Sequence, residues 1–241
     1  MSLLNSILDL IFPPICLSCN KWGSTICPSC LSQFQNRTFS ICPTCLKNSP
    51  HGLRHDICTD PTKPIDGLIS YWRYTENLKR IIKQIKYQGY YAATPQLIQQ
   101  FLSQDAIELN PYFQQFLETK PILIPVPIHK RRQRERGFNQ SHKFAKQLTN
   151  HWKIPLSTKI IYRTQYTKPQ VELEKKDRTT NLTGKFAPTK QISNLLPQKP
   201  LTAYNVLLVD DVWTTGSTLQ NCALEIKKLG AKSIWALTIA R

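Results

Sequence analysis

Short apolar runs alternate with amphipathic stretches over most of the chain beyond residue 66. Residues 206–209 form a continuous apolar run, which is typical of a strand buried on both faces of a parallel sheet. Apolar residues then recur at helical spacing from Leu219 to Leu229, and residues 233–239 are again strand-like. The pattern predicts a strand–loop–helix–strand unit of an α/β fold.

The same two periodicities predict further elements upstream. Strand-like segments cover residues 68–74, 121–127 and 160–163, and helical spacing covers residues 78–85, 94–102 and 139–151. Residues 103–120 are polar and predict an irregular connection. Residues 59–66 contain two prolines and predict a linker. The chain is therefore expected to divide into residues 1–64 and residues 65–241.

The first 58 residues hold seven of the eight cysteines, in three Cys-x-x-Cys pairs and one His-x-x-Cys pair. Eight such ligands match two structural zinc ions with four ligands each. If neighbouring pairs combine, the two sets are Cys16, Cys19, Cys27 and Cys30, and Cys42, Cys45, His55 and Cys58. Spacing alone leaves crossed pairing open. His51 lies near His55, and a plain surface histidine is the other interpretation of either residue.

A disulfide framework is the other interpretation of these cysteines, and it requires an oxidising compartment. The opening residues lack the basic segment and the long apolar core of a secretory signal, and no apolar run is long enough to cross a bilayer. The residues before Pro13 are predicted to form a short amphipathic helix packed on the zinc sites. These features predict a cytoplasmic protein with reduced cysteines.

The charge distribution indicates a polyanionic partner. The chain has 32 Lys and Arg and 15 Asp and Glu, a formal net charge of +17. Residues 121–190 hold 16 of the basic and 4 of the acidic residues. A segment with such an excess of positive charge favours a pyrophosphorylated ligand, a nucleic acid or both over a merely solvated face. Arg131, Arg132 and Arg134 are the candidate nucleic-acid-binding residues. Base-stacking platforms are offered by Trp72, Tyr74, Tyr87, Tyr90 and Tyr91, although most of these rings are expected to lie in the core or an interface.

Two adjacent carboxylates and a hydroxyl-rich loop follow the apolar run at residues 206–209. Asp210 and Asp211 end the predicted strand, and the loop consists of Thr214, Thr215, Gly216, Ser217 and Thr218. Open α/β sheets bind ligands beyond the carboxyl ends of their strands, where loop amides and a helix N-terminus favour an anion. The sequence predicts a sugar-phosphate site, with the phosphate on the loop and ribose hydroxyls on the acid pair. An ordinary turn with solvated acids, or a carboxylate metal site without a sugar, are the alternatives.

Two basic segments extend this hypothesis. A basic loop follows the strand at residues 121–127, and Arg136 and Gly137 come just before the helix predicted at residues 139–151. Loop amides and guanidinium groups suit a pyrophosphate there. Residues 163–186 are polar and basic, and they predict either a loop that closes over a bound ligand or a plain solvent loop.

Taken together, the motifs resemble those of known proteins. Residues 206–218 resemble the PRPP (phosphoribosyl pyrophosphate) motif of type I phosphoribosyltransferases. The whole chain is similar to the ComF family in the order of its zinc-ligand pairs, Lys86-Tyr87-x-Gly89, Pro125-Val-Pro-x-His129, Arg136-Gly-Phe-Asn-Gln140, Thr167-x-x-Gln170, Arg178-x-x-Asn181 and the acid pair. His55 departs from the family pattern, which has a cysteine in that place. The resemblance implies a type I phosphoribosyltransferase-like, mostly parallel sheet flanked by helices, with a small N-terminal double zinc ribbon.

The resemblance also implies a role in natural transformation, in which single-stranded DNA enters the cytoplasm. Three functions follow as hypotheses. The protein is an uptake factor that binds PRPP with Mg²⁺ and handles single-stranded DNA; or it is an active phosphoribosyltransferase with a nitrogen acceptor; or its zinc ribbons dock a helicase or translocase. Asp210 and Asp211 would hold ribose and favour positive charge on the ring in the second case, and the sequence names no acceptor.

Overall fold

The computed structural model describes residues 13–34, 40–87, 93–102, 110–166, 184–189 and 200–241. The helix predicted before Pro13 lies outside the described residues. Most of the loop predicted to close over a ligand, at residues 167–183, lies outside them as well.

Four strands form the central sheet: β1 (Gly67–Trp72), β2 (Ile122–Pro125), β5 (Val206–Val212) and β6 (Ile234–Ala240). Their order is β1-β6-β5-β2, and each neighbouring pair is parallel. Two short strands, β3 (Ile161–Arg163) and β4 (Phe186–Pro188), form a separate antiparallel pair. The predicted α/β fold with a mostly parallel sheet is confirmed.

The described residues contain seven α-helices: α1 (Pro28–Leu31), α2 (Glu76–Tyr87), α3 (Ala93–Leu102), α4 (Pro111–Glu118), α5 (Lys130–Arg136), α6 (Gln140–Trp152) and α7 (Ser217–Lys228). Four of them, α2, α3, α6 and α7, lie where the helical spacing predicts them. Each buries one apolar face, which is the face that the spacing marks.

Two helices correct the sequence analysis. Residues 103–120 were expected to be irregular, but α4 occupies the end of that segment: the Asn110 side chain accepts a hydrogen bond from the Phe113 amide, and Phe113 and Phe116 are buried. The expected basic loop after β2 contains α5, which starts where His129 Nδ1 accepts a hydrogen bond from the Arg131 amide. None of the residues of α5 is buried, so the hydrophobic pattern could not reveal this helix.

The two faces of the sheet pack against different helices. On one face, Leu207 and Leu237 share an apolar cluster with the buried residues of α2, α3 and α6. On the other face, Leu208 and Ala236 pack with the buried residues of α7. Alternate residues of β5 therefore point to different layers, and Asp210 and Asp211 follow this alternation at the carboxyl end of the strand.

The N-terminal segment is joined to this sheet domain by packing as well as by the chain. Leu17, Ile26 and Phe34 belong to the same apolar cluster as α2 and α3. The predicted division into residues 1–64 and 65–241 stays a prediction, since one core includes residues on both sides of it. None of the helices in the described part of the chain has the length and apolar character that a membrane span needs.

Candidate functional site

Asp210 is held at the carboxyl end of β5 by two hydrogen bonds. Its Oδ1 accepts one from the Ser141 hydroxyl, at 2.8 Å, and one from the Asp211 amide, at 2.9 Å. Ser141 lies in the first turn of α6, which begins where Asn139 Oδ1 accepts a hydrogen bond from the Ser141 amide. The cap of α6 therefore fixes the position of the group that orients Asp210.

Asp211 is paired with a cation from the opposite side of the site. Its Oδ2 lies 2.5 Å from Lys86 Nζ, and the Asp211 side chain is only 12% exposed. Lys86 comes from the last turn of α2, where a basic residue also interacts favourably with the helix dipole. The two neighbouring acids thus have different environments, one facing a hydroxyl and the other an ammonium group.

These environments shift the pKa values of the site. Burial, followed by the nearby charge of Asp211, raises the pKa of Asp210 to about 7, while Lys86 and the Ser141 hydroxyl act in the opposite sense. Burial alone would lower the pKa of Lys86, but Asp211 and Asp210 together raise it above its usual value. Lys86 is therefore charged near neutral pH, and Asp210 keeps its proton to a higher pH than an exposed aspartate does.

The hydroxyl-rich loop lies between β5 and α7, next to the acid pair. Gly216 caps α7 with a left-handed backbone (φ 76°), and a Cβ at this position would overlap the ring of the buried Trp213. A residue with a side chain is therefore excluded on two grounds. Thr215 and Ser217 approach each other through their hydroxyls, at 2.7 Å. The buried Trp213 packs against Gly216 of the loop, and Thr214 and Thr215 are exposed.

Arg136 and Gly137 lie at the end of α5, and Gly137 ends that helix in the left-handed conformation (φ 77°). The guanidinium of Arg136 lies over the ring of Tyr87, 4.8 Å from its centroid. Burial and Arg132 lower the pKa of Arg136, while Tyr87 and Asp211 act in the opposite sense. The structure thus brings Arg136 into the electrostatic neighbourhood of the acid pair.

The other arginines of α5 have different surroundings. Arg131 is exposed, forms a 3.0 Å ion pair with Glu135, and lies 4.5 Å from the centroid of the Tyr166 ring. Arg134 is exposed and Arg132 is partly buried. These candidate nucleic-acid-binding residues form an outer surface of α5, beside Arg136.

Eight predicted metal ligands form two clusters, in each of which the ligand atoms lie within 4.8 Å of one another. The first ribbon cluster contains Cys16, Cys19, Cys27 and Cys30, and the second contains Cys42, Cys45, His55 and Cys58. Neighbouring motifs pair, and no crossed cluster occurs in the described residues. A tetrahedral zinc ion with Zn–S bonds of about 2.3 Å fits such thiol groups.

His55 has the hydrogen bonding expected of a zinc ligand. Its Nε2 lies 3.0 Å from the Asn48 carbonyl oxygen, which can only accept a hydrogen bond, so Nε2 carries the proton. Nδ1 therefore presents its lone pair to the cluster, 3.4 Å from the Cys45 sulfur. A backbone carbonyl that orients a ligating histidine through its other nitrogen is common at metal sites.

Sequence reasoning assigned no contact to Ser141, Lys86 or Tyr87, although Lys86 and Tyr87 belong to one of the motifs behind the family resemblance. Ser141 had one local signal, since it follows a helix-capping asparagine, but nothing local tied it to Asp210. Lys86 and Tyr87 lie at the end of an amphipathic helix, where polar residues are ordinary. Their contacts with Asp211 and Arg136 join residues that are far apart in the chain.

The chain is similar to known proteins over most of its length. Residues 7–61 match the double zinc ribbon domain family. Competence protein F of Haemophilus influenzae is 30% identical over 219 residues, 90% of each chain. Competence protein ComFC of Bacillus subtilis is 29% identical, covering 92% of this chain and 86% of its own. DNA utilization protein YhgH of Salmonella typhimurium is 27% identical over 95% of this chain and 98% of its own.

Among solved structures, the purine phosphoribosyltransferase of Pyrococcus horikoshii Ot3 overlaps 53% of this chain and 75% of its own, with 23% identity and a TM-score of 0.31.

Proposed function

The chain belongs to the ComF family of competence proteins, and from this premise we propose that it binds PRPP with Mg²⁺ and handles single-stranded DNA in the cytoplasm. The observation that carries the proposal is the convergence of three groups at the carboxyl end of β5: the Asp210–Asp211 pair, the loop from Thr214 to Thr218, and Arg136. Carboxylates, a helix N-terminus and a guanidinium are the groups that ribose hydroxyls, a phosphate and a pyrophosphate require.

The residues would divide the ligand among them. Asp210 and Asp211 would accept hydrogen bonds from the two ribose hydroxyls. Thr214, Thr215, Gly216, Ser217 and Thr218 would hold the 5′-phosphate with amides and hydroxyls. Arg136 and the amide of Gly137 would contact the pyrophosphate, whose charge bound Mg²⁺ would help to neutralise.

Lys86 has a defined part in this assignment. Its ion pair holds Asp211 in one orientation and balances a second negative charge beside Asp210. Without that cation, the two carboxylates would repel each other more strongly, and Asp210 would bind a proton more tightly. Lys86 therefore keeps the acid pair able to accept hydrogen bonds near neutral pH.

Transfer of the phosphoribosyl group is the alternative activity of the same site. A nitrogen nucleophile would form a bond to the anomeric carbon while the bond to pyrophosphate breaks, and the bonding electrons leave with pyrophosphate. The acid pair would then stabilise positive charge on the ribose ring, and Arg136 would stabilise the leaving group. Both activities need the same residues, so binding is tested before turnover.

Calorimetry with Mg²⁺ and PRPP tests the proposal. Asp210→Asn with Asp211→Asn keeps size and removes two charges, and we expect affinity to fall at least tenfold while the fold persists. Asp60→Asn with Glu118→Gln removes two charges outside the site and should bind like the parent. Equal PRPP binding by a normally folded acid-pair variant would disprove the assignment. Pyrophosphate release with a panel of nucleobases then separates binding from turnover.

The pKa of Asp210 sets the pH dependence of binding. An ionised Asp210 accepts hydrogen bonds from ribose, so affinity for PRPP should rise as the pH rises through about 7 and level off above it. Stability should change in the opposite direction. The folded protein keeps the Asp210 proton that the unfolded chain loses near pH 4, so this group lowers stability as the pH rises from about 4 to 7. Melting and titration curves of Asp210→Asn should lack both effects.

The exposed apolar residues of the zinc ribbons support docking of a helicase or translocase as a second function. Trp22 is 70% exposed and Ile57 is 88% exposed, and Ile15 and Leu46 are also exposed. Large apolar side chains on a surface favour a protein partner. Trp22→Ser with Ile57→Ser should abolish co-purification with a helicase or translocase of the DNA-uptake machinery while leaving PRPP binding intact. Unchanged co-purification would remove this function.

A further inference from the structure

The outer face of α2 forms one wall of an open groove of about 500 Å³. Among the residues that the structure describes, six line it, all of them on α2: Glu76, Lys79, Arg80, Lys83, Gln84 and Tyr87. The opposite face of α2 is buried in the core through Leu78, Ile81, Ile82 and Ile85. The polar face of this amphipathic helix thus borders the open groove.

The described lining of the groove is cationic, with three basic side chains and one acidic side chain. Lys79 Nζ donates to Glu76 Oε1 at 2.8 Å, but this ion pair is exposed, so it contributes little and a phosphate can replace the carboxylate. Arg80 and Lys83 are exposed as well, and the three cations leave an excess of positive charge. A ligand of this groove must therefore be an anion or carry several anionic groups.

The two ends of the groove meet the two functional parts of the molecule. Near one end, Arg80 Nη1 donates a hydrogen bond to the Ser18 carbonyl of the first ribbon, at 2.8 Å. At the other end, Tyr87 is 52% exposed and carries the Arg136 guanidinium over its ring. The neighbouring Lys86 holds Asp211. The groove therefore leads from the first ribbon to the candidate PRPP site.

The cations and the aromatic ring along α2 are arranged as binding of a single-stranded nucleic acid requires, with phosphates on the cations and an unpaired base on the ring. Lys79, Lys83 and Tyr87 follow each other at four-residue spacing on one helix face, with a rise of about 6 Å between successive members. Cationic side chains track a nucleic-acid backbone, and an exposed aromatic ring stacks on a base that has no pairing partner. An acidic polypeptide would use the cations, but it offers no bases for the ring.

We propose that the α2 groove binds single-stranded nucleic acid, with one base on Tyr87 and the backbone on Lys79 and Lys83. The strand then ends or passes beside the acid pair, within reach of a PRPP bound there. This inference rests on the proposed function in one respect: PRPP is taken to be the ligand at Asp210 and Asp211. It assigns the strand to α2, whereas sequence analysis assigned nucleic acid to Arg131, Arg132 and Arg134 on α5.

Binding of a fluorescent oligothymidylate to the full-length, zinc-loaded protein tests the groove. Lys79→Gln with Lys83→Gln should lower affinity about tenfold and reduce the slope of log affinity against log salt by about 1.4, since two phosphate contacts are lost. Lys146→Gln with Lys232→Gln removes the same charge from exposed sites elsewhere and should change the slope little. Calorimetric binding of Mg²⁺ and PRPP should be unchanged in both variants.

Tyr87 tests the stacking contact separately. Tyr87→Phe keeps the ring and should bind the oligonucleotide as the parent does, whereas Tyr87→Leu should lose about fivefold or more in affinity. Thermal melting of both variants checks that α2 is still folded. Equal losses in the Phe and Leu variants would argue against stacking and overturn this part of the proposal.

The outcomes separate this inference from the proposed function. The groove is overturned if the parent binds no oligonucleotide, if only Arg131→Gln with Arg134→Gln lowers binding, or if polyglutamate or duplex DNA competes as well as the single strand. If the parent binds no PRPP but its binding of the oligonucleotide depends on Lys79, Lys83 and Tyr87, the α2 groove is supported and the proposed PRPP site is disproved.

Discussion

The two zinc ribbons are built from similar ligands, but the sheet domain holds them in different ways. The first ribbon contributes Leu17, Ile26 and Phe34 to the main apolar cluster, and the Phe34 ring lies 5.0 Å from the ring of Trp72 in β1. Three of its four cysteines are buried. Its buried cysteines therefore belong to the apolar cluster against which α2 and α3 pack.

The second ribbon contributes Ile41 to the apolar cluster on the other face of the sheet, and it also makes polar contacts. Gln220 of α7 donates a hydrogen bond to the Pro43 carbonyl at 2.9 Å, and Lys63 donates one to the Thr44 carbonyl at 3.0 Å. Only Cys42 among its four ligands is buried, and Ile57 is left almost fully exposed. This ribbon lies against the sheet domain but shares less of its core.

The difference separates two uses of the same metal motif. In the first ribbon, zinc would stabilise residues that support α2, and α2 carries both Lys86 and the proposed strand groove. In the second ribbon, zinc would stabilise mainly a local loop, whose exposed face is available to a partner. Metal bound in the first ribbon is therefore expected to affect the ligand site, and metal bound in the second is not.

Removing one ligand from each ribbon should give the largest contrast. We expect Cys30→Ser to lower the melting temperature by roughly 10 °C or more and to weaken PRPP binding, because zinc loss opens the shared core. Cys58→Ser should also lose one zinc, with a smaller shift and normal PRPP affinity. Elemental analysis measures the zinc content of each variant, and thermal melting measures the shift in melting temperature. Equal shifts for the two variants would contradict the comparison.

The contacts behind each ribbon should show a smaller contrast. Gln96 of α3 bonds to both sides of Ile26, donating to its carbonyl at 2.6 Å and accepting from its amide at 3.1 Å. Gln96→Leu should cost about 2 kcal/mol in the free energy of unfolding, and Gln220→Leu about 1 kcal/mol, since it breaks one such bond. Urea unfolding at fixed zinc content measures both. A larger loss for Gln220→Leu would reverse the order we derive.

The smallest effect is expected at His55. His55→Cys supplies a thiolate in place of the imidazole, so the second ribbon should keep its zinc and the melting temperature should change by only about 1–2 °C. His55→Ala should leave one zinc per chain, with His51→Ala as the control that keeps two. Two zinc ions in His55→Ala would show that another group completes the second cluster.

Much of the architecture followed from local patterns. The buried strands β5 and β6 and the helices α2 and α7 are long enough for their periodicity to predict them. α4 was missed because its capping Asn110 and buried Phe113 lie in a polar segment with little repetition. α5 was missed because it buries nothing. A helix with no buried face has no hydrophobic signal, whatever its role in the site.

The sequence by itself determined the metal-ligand pairs, the parallel α/β class and the acid pair followed by a hydroxyl-rich loop, because each depends on residues close together in the chain. Only the tertiary structure decided that neighbouring zinc motifs pair, that Asp210 is held by Ser141 and Asp211 by Lys86, and that the first ribbon packs against α2. These contacts join segments separated by about 60 residues or more, apart from the zinc pairings. Local propensity carries no information about which distant polar groups meet, and the packing of buried apolar faces determines it instead.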